Sequence, residues 1–337
     1  MQSLFIHGYS KSGTSLLVAL LDGHPEINVI PEESDYFDGL YFMVERFLQS
    51  SKLNNEEKID QLYLRLTHST HIKNFFKGLS IDDPRGNFDY REFDGASFET
   101  KFKLFLKENG IDHQNFFRAL AYAYNAGIGK APTQKYWLEK TPYHDLNVSN
   151  REEILNSQFE GYKVIHIFRD IRDNFLAYSK KRPELNIYDI CYEWKRIVNL
   201  AFEWGKTENN LIIRYEDLVL NTKETMNKIL DFIDLQPSEK IYVPTKNGAP
   251  WLGNSMFGQK SAKISADRLN RYLKLMDDDT RNTIESLCAK EMKKLNYKID
   301  SDRANGFSLP FQFAKWKSFY KKMIKAFKIN WVLKYRY

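Results

Sequence analysis

The stretch LFIHGYSKSGTS, residues 4–15, restricts this chain more than any other. A short apolar strand (Leu4, Phe5, Ile6) runs into a loop framed by Gly8 and Gly13. An apolar helical pattern, Leu16, Leu17, Ala19, Leu20 and Leu21, follows it. A strand–loop–helix unit of this kind directs backbone N–H groups and a helix N-terminus at one point, which is an arrangement for holding an anion. The two glycines stand at the separation of the P-loop pattern, but Thr14 occupies the position where that pattern requires lysine. The loop's lysine is Lys11, inside the turn. The unit therefore fits a nucleotide phosphate, with its cationic group placed differently from that of an ATPase or GTPase.

Around this unit the chain alternates strands and helices as a parallel α/β sheet does. Strands are expected at Leu4–His7, Ile27–Ile30, Tyr136–Leu138, Lys163–Phe168 and Leu211–Arg214, and helices at Ser15–Asp22, Asp173–Lys181, Ile187–Glu203 and Lys223–Ile233. Between residues 36 and 132 the strand signal fades and helical stretches take over. The expected fold is α/β: a P-loop-like parallel sheet flanked by helices, with an inserted helical subdomain and a basic C-terminal helix. Residues 1–310 read as a single domain, with 36–132 as an insertion or lid on the acceptor side, and 311–337 as a basic amphipathic tail.

Composition narrows the function. Lys315 to Tyr337 holds seven Lys, one Arg and no acidic residue, more than the net charge of +6 of the whole chain, so the remainder is close to neutral. Nucleic-acid binding, which needs a basic patch on the body, is not expected. In the tail Trp316, Phe319, Tyr320, Met323, Phe327 and Trp331 recur at helical spacing among the lysines. Two readings of it stand open: an aromatic stripe packed on the body, or a helix lying on an anionic membrane surface. The two cysteines, Cys191 and Cys288, have neither metal-ligand nor redox spacing, and a reducing compartment fits them. No secretory pattern precedes Leu4, and no run of about 18 apolar residues occurs. A cytoplasmic protein is expected, with peripheral contact at the inner membrane surface through residues 315–337.

Two further segments carry chemistry. In KVIHIFRDIRDNFLAYSKKR, Lys163–Arg182, an apolar strand ends in Arg169, and an arginine at a strand's carboxyl edge can fork onto a phosphate. The later segments IRYEDLVLNTKETMNKILDFIDL (Ile213–Leu235) and NGAPWLGNSMFGQKSAKIS (Asn247–Ser265) join WLEKTP (Trp137–Pro142) as recognisable runs. Together these resemble the sulfotransferases that use 3′-phosphoadenosine 5′-phosphosulfate (PAPS), specifically the bacterial branch related to the tyrosylprotein-type enzymes. Lys11, Ser12, Gly13, Thr14 and Ser15 match that family's loop around the 5′-phosphosulfate, and LLDGHPEI (Leu20–Ile27) matches its continuation. Arg169 matches its 3′-phosphate arginine. The family's phosphate-binding serine falls on Ala177, which leaves that phosphate to Ser179, two residues on, or to another group. Lys260, Ser261 and Lys263 are candidates for the loop that closes over the nucleotide, and Lys140 for a group facing the sulfuryl. The resemblance covers residues 4–33, 137–142 and 163–265.

What this resemblance implies is transfer of a sulfuryl group from PAPS to a hydroxyl acceptor, a glycan or glycolipid foremost and a protein tyrosine as another case, with PAP as product and no metal required. In-line transfer needs a base, neutralisation of the leaving oxygen, and alignment. Glu33, in PEES after the second strand, is the expected base, with Glu32 as the neighbour one register away, and Lys11 stabilises the leaving phosphate. His7, His24 and His166 are expected to serve structure. Two other readings remain: a P-loop nucleotide kinase or other phosphotransferase, and a non-catalytic nucleotide-binding member of the fold, to which the loss of serine at position 177 points.

Overall fold

Apolar side chains alternate along the first strand, and each parity is buried against a different set of helices. The computed structural model describes residues 1–30, 33, 36, 40–49, 52–69, 72–77, 90–131, 135–141, 151–251, 253 and 264–299. Five strands, β1 (Gln2–His7), β2 (Ile27–Val29), β3 (Tyr136–Lys140), β4 (Lys163–Phe168) and β5 (Asn210–Arg214), form one sheet in the order β2-β3-β1-β4-β5. Every pairing in it is parallel, with Leu4 opposite both Leu138 and Lys163, and Phe168 opposite Arg214. Phe5, Trp137 and Val164 enter one core, whereas Leu4, Ile6, Leu138, Ile165 and Ile167 enter another on the opposite face. Burial on both faces is why these strands read as nearly continuous apolar runs.

The helices are α1 (Thr14–Leu21), α2 (Leu40–Gln49), α3 (Asn55–Thr67), α4 (Gly95–Asn109), α5 (His113–Gly127), α6 (Arg151–Gln158), α7 (Ile171–Lys181), α8 (Ile187–Trp204), α9 (Tyr215–Leu220), α10 (Thr222–Phe232), α11 (Tyr272–Leu275) and α12 (Asp278–Lys294). Side chains α1, α9 and α10 contribute to the core holding Leu4 and Ile6, while α7, α8 and α12 enclose a third around Tyr9, Phe168 and Trp194. There the thiols of Cys191 and Cys288 meet as free, buried neighbours from α8 and α12. No described helix is long and apolar enough to cross a membrane. The expected strands all form, β3 running on to Lys140. The helix expected from Asp173 starts earlier, at Ile171, because the Asp170 carboxylate caps it by accepting from the Arg172 N–H at 2.9 Å.

Helices α2–α5 follow β2 and precede β3. Local signals start them: Asn54 and Glu57 exchange reciprocal 2.9 Å bonds in a capping box, and Asp94 and Asp112 cap α4 and α5. Phe98, Phe102 and Leu106 form the buried stripe of α4 at intervals of four, against Phe116 and its neighbours on α5. Each buried phenylalanine contributes roughly 2–3 kcal/mol. Within this layer the Tyr36 hydroxyl bonds to Nδ1 of fully buried His113, whose Nε2 lies 2.5 Å from Glu45 Oε1. A carboxylate takes the Nε2 proton, so Nδ1 accepts from the tyrosine, and Tyr36 is tied to α2 and α5 at once.

A short hairpin, β6 (Thr245–Lys246) with β7 (Ala249–Pro250), turns at Asn247-Gly248, both at positive φ (51° and 78°), as a type I′ turn requires. Asp22 at the end of α1 accepts from Thr245 Oγ1 (2.7 Å) and from the Gly248 N–H (3.0 Å), which fixes the hairpin to the helix that follows the anion loop.

Candidate active site

Because all five strands run parallel, their carboxyl ends share one edge, where open α/β sheets bind ligands. The loop after β1 leaves the sheet tightly: a β-carbon at Gly8 would sit 2.3 Å from the Ile167 carbonyl oxygen of β4. Residues Tyr9–Ser12 then form a turn closed by the Ser12 N–H on the Tyr9 carbonyl at 3.1 Å. Its third residue, Lys11, has φ +70°, a left-handed position that glycine usually fills and that costs another residue about 1–2 kcal/mol. Gly13, at φ +95°, stands at the start of α1, and its carbonyl accepts from Leu16 and Leu17. The first-turn N–H groups of α1 have no acceptor within the helix, so this end carries partial positive charge.

Lys11 adds to that charge under strain. Its ammonium is pushed down to about 8, first by burial and then by the positive charges of Lys181 and Lys140. Among the described residues it has no acidic partner. A half-buried cation crowded by cations at a helix N-terminus is a site that an anion would relieve.

Ser12 helps to build the loop. Its side chain is fully buried, its N–H closes the turn, and its hydroxyl accepts from Asn174 Nδ2 at 3.1 Å. It shapes the loop from behind. Gly13, Thr14 and Ser15 stand where the loop meets the helix, as expected.

The second cluster lies at the end of β4. The Arg169 guanidinium sits over the Tyr215 ring, 5.0 Å from its centroid, 3.5 Å from Asp173 Oδ2, and donates to the Arg268 carbonyl. Its Nε is buried and has no hydrogen-bond partner among the described residues. Asp173, which burial pushes up and Arg169 pulls down, also accepts from the Tyr272 N–H at 3.0 Å. Behind it Arg172 is buried, clamped by Asp170 (3.0 and 2.6 Å) and Glu285 (2.5 Å) and stacked 4.0 Å from Tyr272. With both carboxylates and the ring in place this buried ion network is satisfied, and it pins the start of α7 to α12. Tyr215, first residue of α9, lies against Gly13 as well as Arg169. One ring thus joins the ends of β1, β4 and β5.

The third cluster joins β2 to β3. Lys140, at the end of β3 and paired in register with Ile6, places Nζ 2.6 Å from Glu33 Oε1. Both side chains are nearly buried, and Lys140 is one of the cations that act on Lys11. Glu33, Lys140 and Lys11 therefore form one charged group, which the sequence offered only as three separate candidates.

Other expected residues separate from these. Ser179 donates its hydroxyl hydrogen to the Phe175 carbonyl at 2.7 Å, which commits it to its own helix, and Ala177 is buried. Glu32, Lys260, Ser261, Lys263 and residues 311–337 lie outside the described residues. His24 bonds from Nε2 to the Gln236 carbonyl (2.9 Å) and accepts the Glu26 N–H at Nδ1 (3.1 Å). His166, fully buried in β4, bonds through Nε2 to Asn210 (2.9 Å) and stands edge-on to His7. Among the described residues no group of His, Cys, Asp and Glu could hold a metal ion. Two contributors escaped sequence reasoning: Tyr215, present only as one residue of the run Ile213–Leu235, and Asn174, which carries no motif signal.

Comparison with known proteins places this edge in a family. The sequence profile of the Sulfotransferase family matches residues 3–239, a span that contains Lys11, Glu33, Lys140, Arg169 and Tyr215. No curated protein matches the sequence significantly. Among solved structures, the sulfotransferase domain of the olefin synthase from Synechococcus PCC 7002 is similar, at 18% identity over 88% of this chain and 95% of that one, with a TM-score of 0.56. The sulfotransferase domain from the curacin biosynthetic pathway is similar at 18% identity, over 89% of this chain and 99% of that one, with a TM-score of 0.53. At that identity the two structures speak to the fold alone, whereas the profile covers well over half of the sequence: the chain belongs to the sulfotransferase family.

Proposed function

We propose that the chain transfers a sulfuryl group from PAPS to a hydroxyl of a glycan or glycolipid. The observation that carries this reading is the charged group at the carboxyl edge, in which Glu33 is held 2.6 Å from Lys140 while Lys140 and Lys181 crowd Lys11. The 5′-phosphosulfate would lie against Lys11 and the start of α1, and the 3′-phosphate against Arg169, with Tyr215 between them. The acceptor oxygen attacks sulfur in line, Glu33 takes the hydroxyl proton, and the bond from sulfur to the bridging oxygen breaks, leaving PAP. Lys140 keeps the Glu33 carboxylate ionised and fit to accept that proton. Once Glu33 is protonated its hold on Lys140 weakens, which frees the ammonium for the oxygens of the transferring sulfuryl. Lys11 neutralises the charge that grows on the bridging oxygen.

In this reading the helices between β2 and β3 form the acceptor side, and the enzyme works in the cytoplasm. Residues 315–337 bring it to an anionic membrane surface where a lipid-linked acceptor resides. The test is calorimetric titration with PAP and, separately, ATP–Mg²⁺, on wild type, Lys11→Ala and Arg169→Ala, followed by transfer of labelled sulfate from PAPS to glycan and glycolipid acceptors. PAP binding that both substitutions weaken and ATP does not match supports the donor site. Preference for ATP would establish a phosphotransferase instead, and binding without transfer to any acceptor a nucleotide-binding protein.

A further inference from the structure

Asn174 belongs to none of the three clusters, yet it touches the anion loop twice. It lies on α7, five residues after Arg169, and is fully buried. Its Nδ2 donates to the Ser10 carbonyl at 2.9 Å and to Ser12 Oγ at 3.1 Å. A carbonyl can only accept, so Ser10 fixes the amide with its NH₂ towards the loop, and both N–H bonds are spent there. The other end of the amide, Oδ1, is buried with no partner among the described residues. Among the described residues the amide is therefore oriented by the loop that its NH₂ grips and not by its own acceptor.

The two residues it grips flank Lys11. A left-handed lysine persists only where its surroundings over-determine it. Here three bonds do so: Ser12 N–H to the Tyr9 carbonyl, and the two from Asn174. We propose that Asn174 is a positioning residue for the sulfuryl donor, a clamp across Ser10 and Ser12 that holds Lys11 in its left-handed conformation and so aims the ammonium at the 5′-phosphosulfate. The inference rests on the donor site proposed above. It also joins the 5′ loop mechanically to the helix that follows Arg169.

The test combines two readouts on wild type, Asn174→Ala, Ser12→Ala, Lys11→Ala and the Lys11→Ala/Asn174→Ala double variant. The first is the affinity for PAP and for adenosine 3′-phosphate, which lacks the 5′ group. Asn174→Ala should weaken PAP about tenfold, the equivalent of roughly 1.4 kcal/mol, and leave adenosine 3′-phosphate unchanged. In the Lys11→Ala background the same substitution should change PAP binding by less than about twofold. Ser12→Ala, which removes one of the two bonds without altering α7, should show a smaller loss of the same kind and serves if Asn174→Ala fails to fold. The second readout needs no nucleotide: titration of ¹³C-methylated Lys11, whose ionisation should return towards that of an ordinary lysine when the clamp is cut. Equal losses for both nucleotides, or an effect that persists without Lys11, would reduce Asn174 to a general packing residue and overturn the proposal. If wild type binds neither nucleotide the donor reading fails, and an unshifted Lys11 titration in Asn174→Ala would then overturn the clamp on its own.

Discussion

The ring of Tyr215 lies so close to Gly13 that a β-carbon at the glycine would meet its Cδ2 at 2.3 Å and its Cε2 at 2.9 Å. The contact sets the height of the anion loop above the ends of β4 and β5, and the same ring carries the Arg169 guanidinium. Gly13→Ala would combine that collision with a side chain at φ +95°. The expected result is a loss of roughly 2 kcal/mol or more in urea unfolding, together with loss of PAP binding. Tyr215→Ala in the same chain should recover part of the stability by removing the collision, but not the binding. Wild-type unfolding and wild-type PAP affinity in Gly13→Ala would show that the ring is not a floor for this loop.

Glu33 and Lys140 differ in what their removal should do. Glu33→Gln keeps the shape and a hydrogen-bonding group but loses the proposed base, so turnover should drop about 10²- to 10⁴-fold with PAP affinity unchanged. Lys140→Met leaves a nearly buried carboxylate without its cation and removes one of the charges that depress Lys11. Turnover should fall here also, with a shift of its acidic limb to higher pH as Glu33 becomes easier to protonate. Stopped-time sulfate transfer across pH 5–9 measures both. A Glu33→Gln enzyme with wild-type turnover would move the base elsewhere, and Glu32 would be the next substitution.

Lys11 predicts how donor binding depends on pH. With its ionisation lowered to about 8 by burial and two neighbouring cations, the free protein begins to lose this charge in mildly alkaline solution. An anionic ligand binds the protonated form, so above about pH 7, where the phosphates of PAP are fully ionised, PAP affinity should fall as pH rises through about 8. Stability moves the opposite way. Between about 8 and the ordinary lysine value the unfolded chain holds a proton that the folded chain has released, so this group's contribution to stability rises with pH there. Calorimetry and urea unfolding on wild type and Lys11→Ala, from pH 6 to 10, separate the two. Both slopes should flatten in the variant, and unchanged slopes would clear Lys11 of either role.

The sequence showed the sheet because its strands are buried on both faces, which leaves long apolar runs such as Lys163–Phe168 that need no partner to be recognised. It showed Lys11, Arg169 and Glu33 because each follows such a run. Joining them is another matter. Lys140 meets Glu33 across the helices α2–α5 that separate β2 from β3, and Tyr36 meets His113 across 77 positions, distances over which no local pattern survives. Ser12 shows the same limit: its place in the loop motif is legible, but its bond to Asn174, 162 positions away, is not. Tyr215 stood out in no motif of its own, yet its ring lies against both Gly13 and Arg169.

The buried histidine of β4 gives a final prediction, on acid stability. His166 is fully enclosed between β1 and β5, with Nε2 bonded to Asn210 and its ring 5.9 Å from that of Trp204. Burial lowers its ionisation to about 4, against about 6.5 in an unfolded chain. Between these values the unfolded chain takes up a proton that the folded chain refuses, so the stability contributed by a neutral His166 is complete above about pH 6.5 and is lost as pH falls towards 4, by a few kcal/mol at most. His166→Gln keeps an amide able to bond Asn210 but cannot titrate. It should therefore be less stable than wild type at pH 7, because the ring's packing is lost, and show a shallower decline between pH 6.5 and 4. Urea unfolding at half-unit pH steps resolves the two slopes. If the variant and wild type decline in parallel, acid sensitivity arises from other groups, with His113, likewise lowered by burial but opposed by Glu45, the next to substitute.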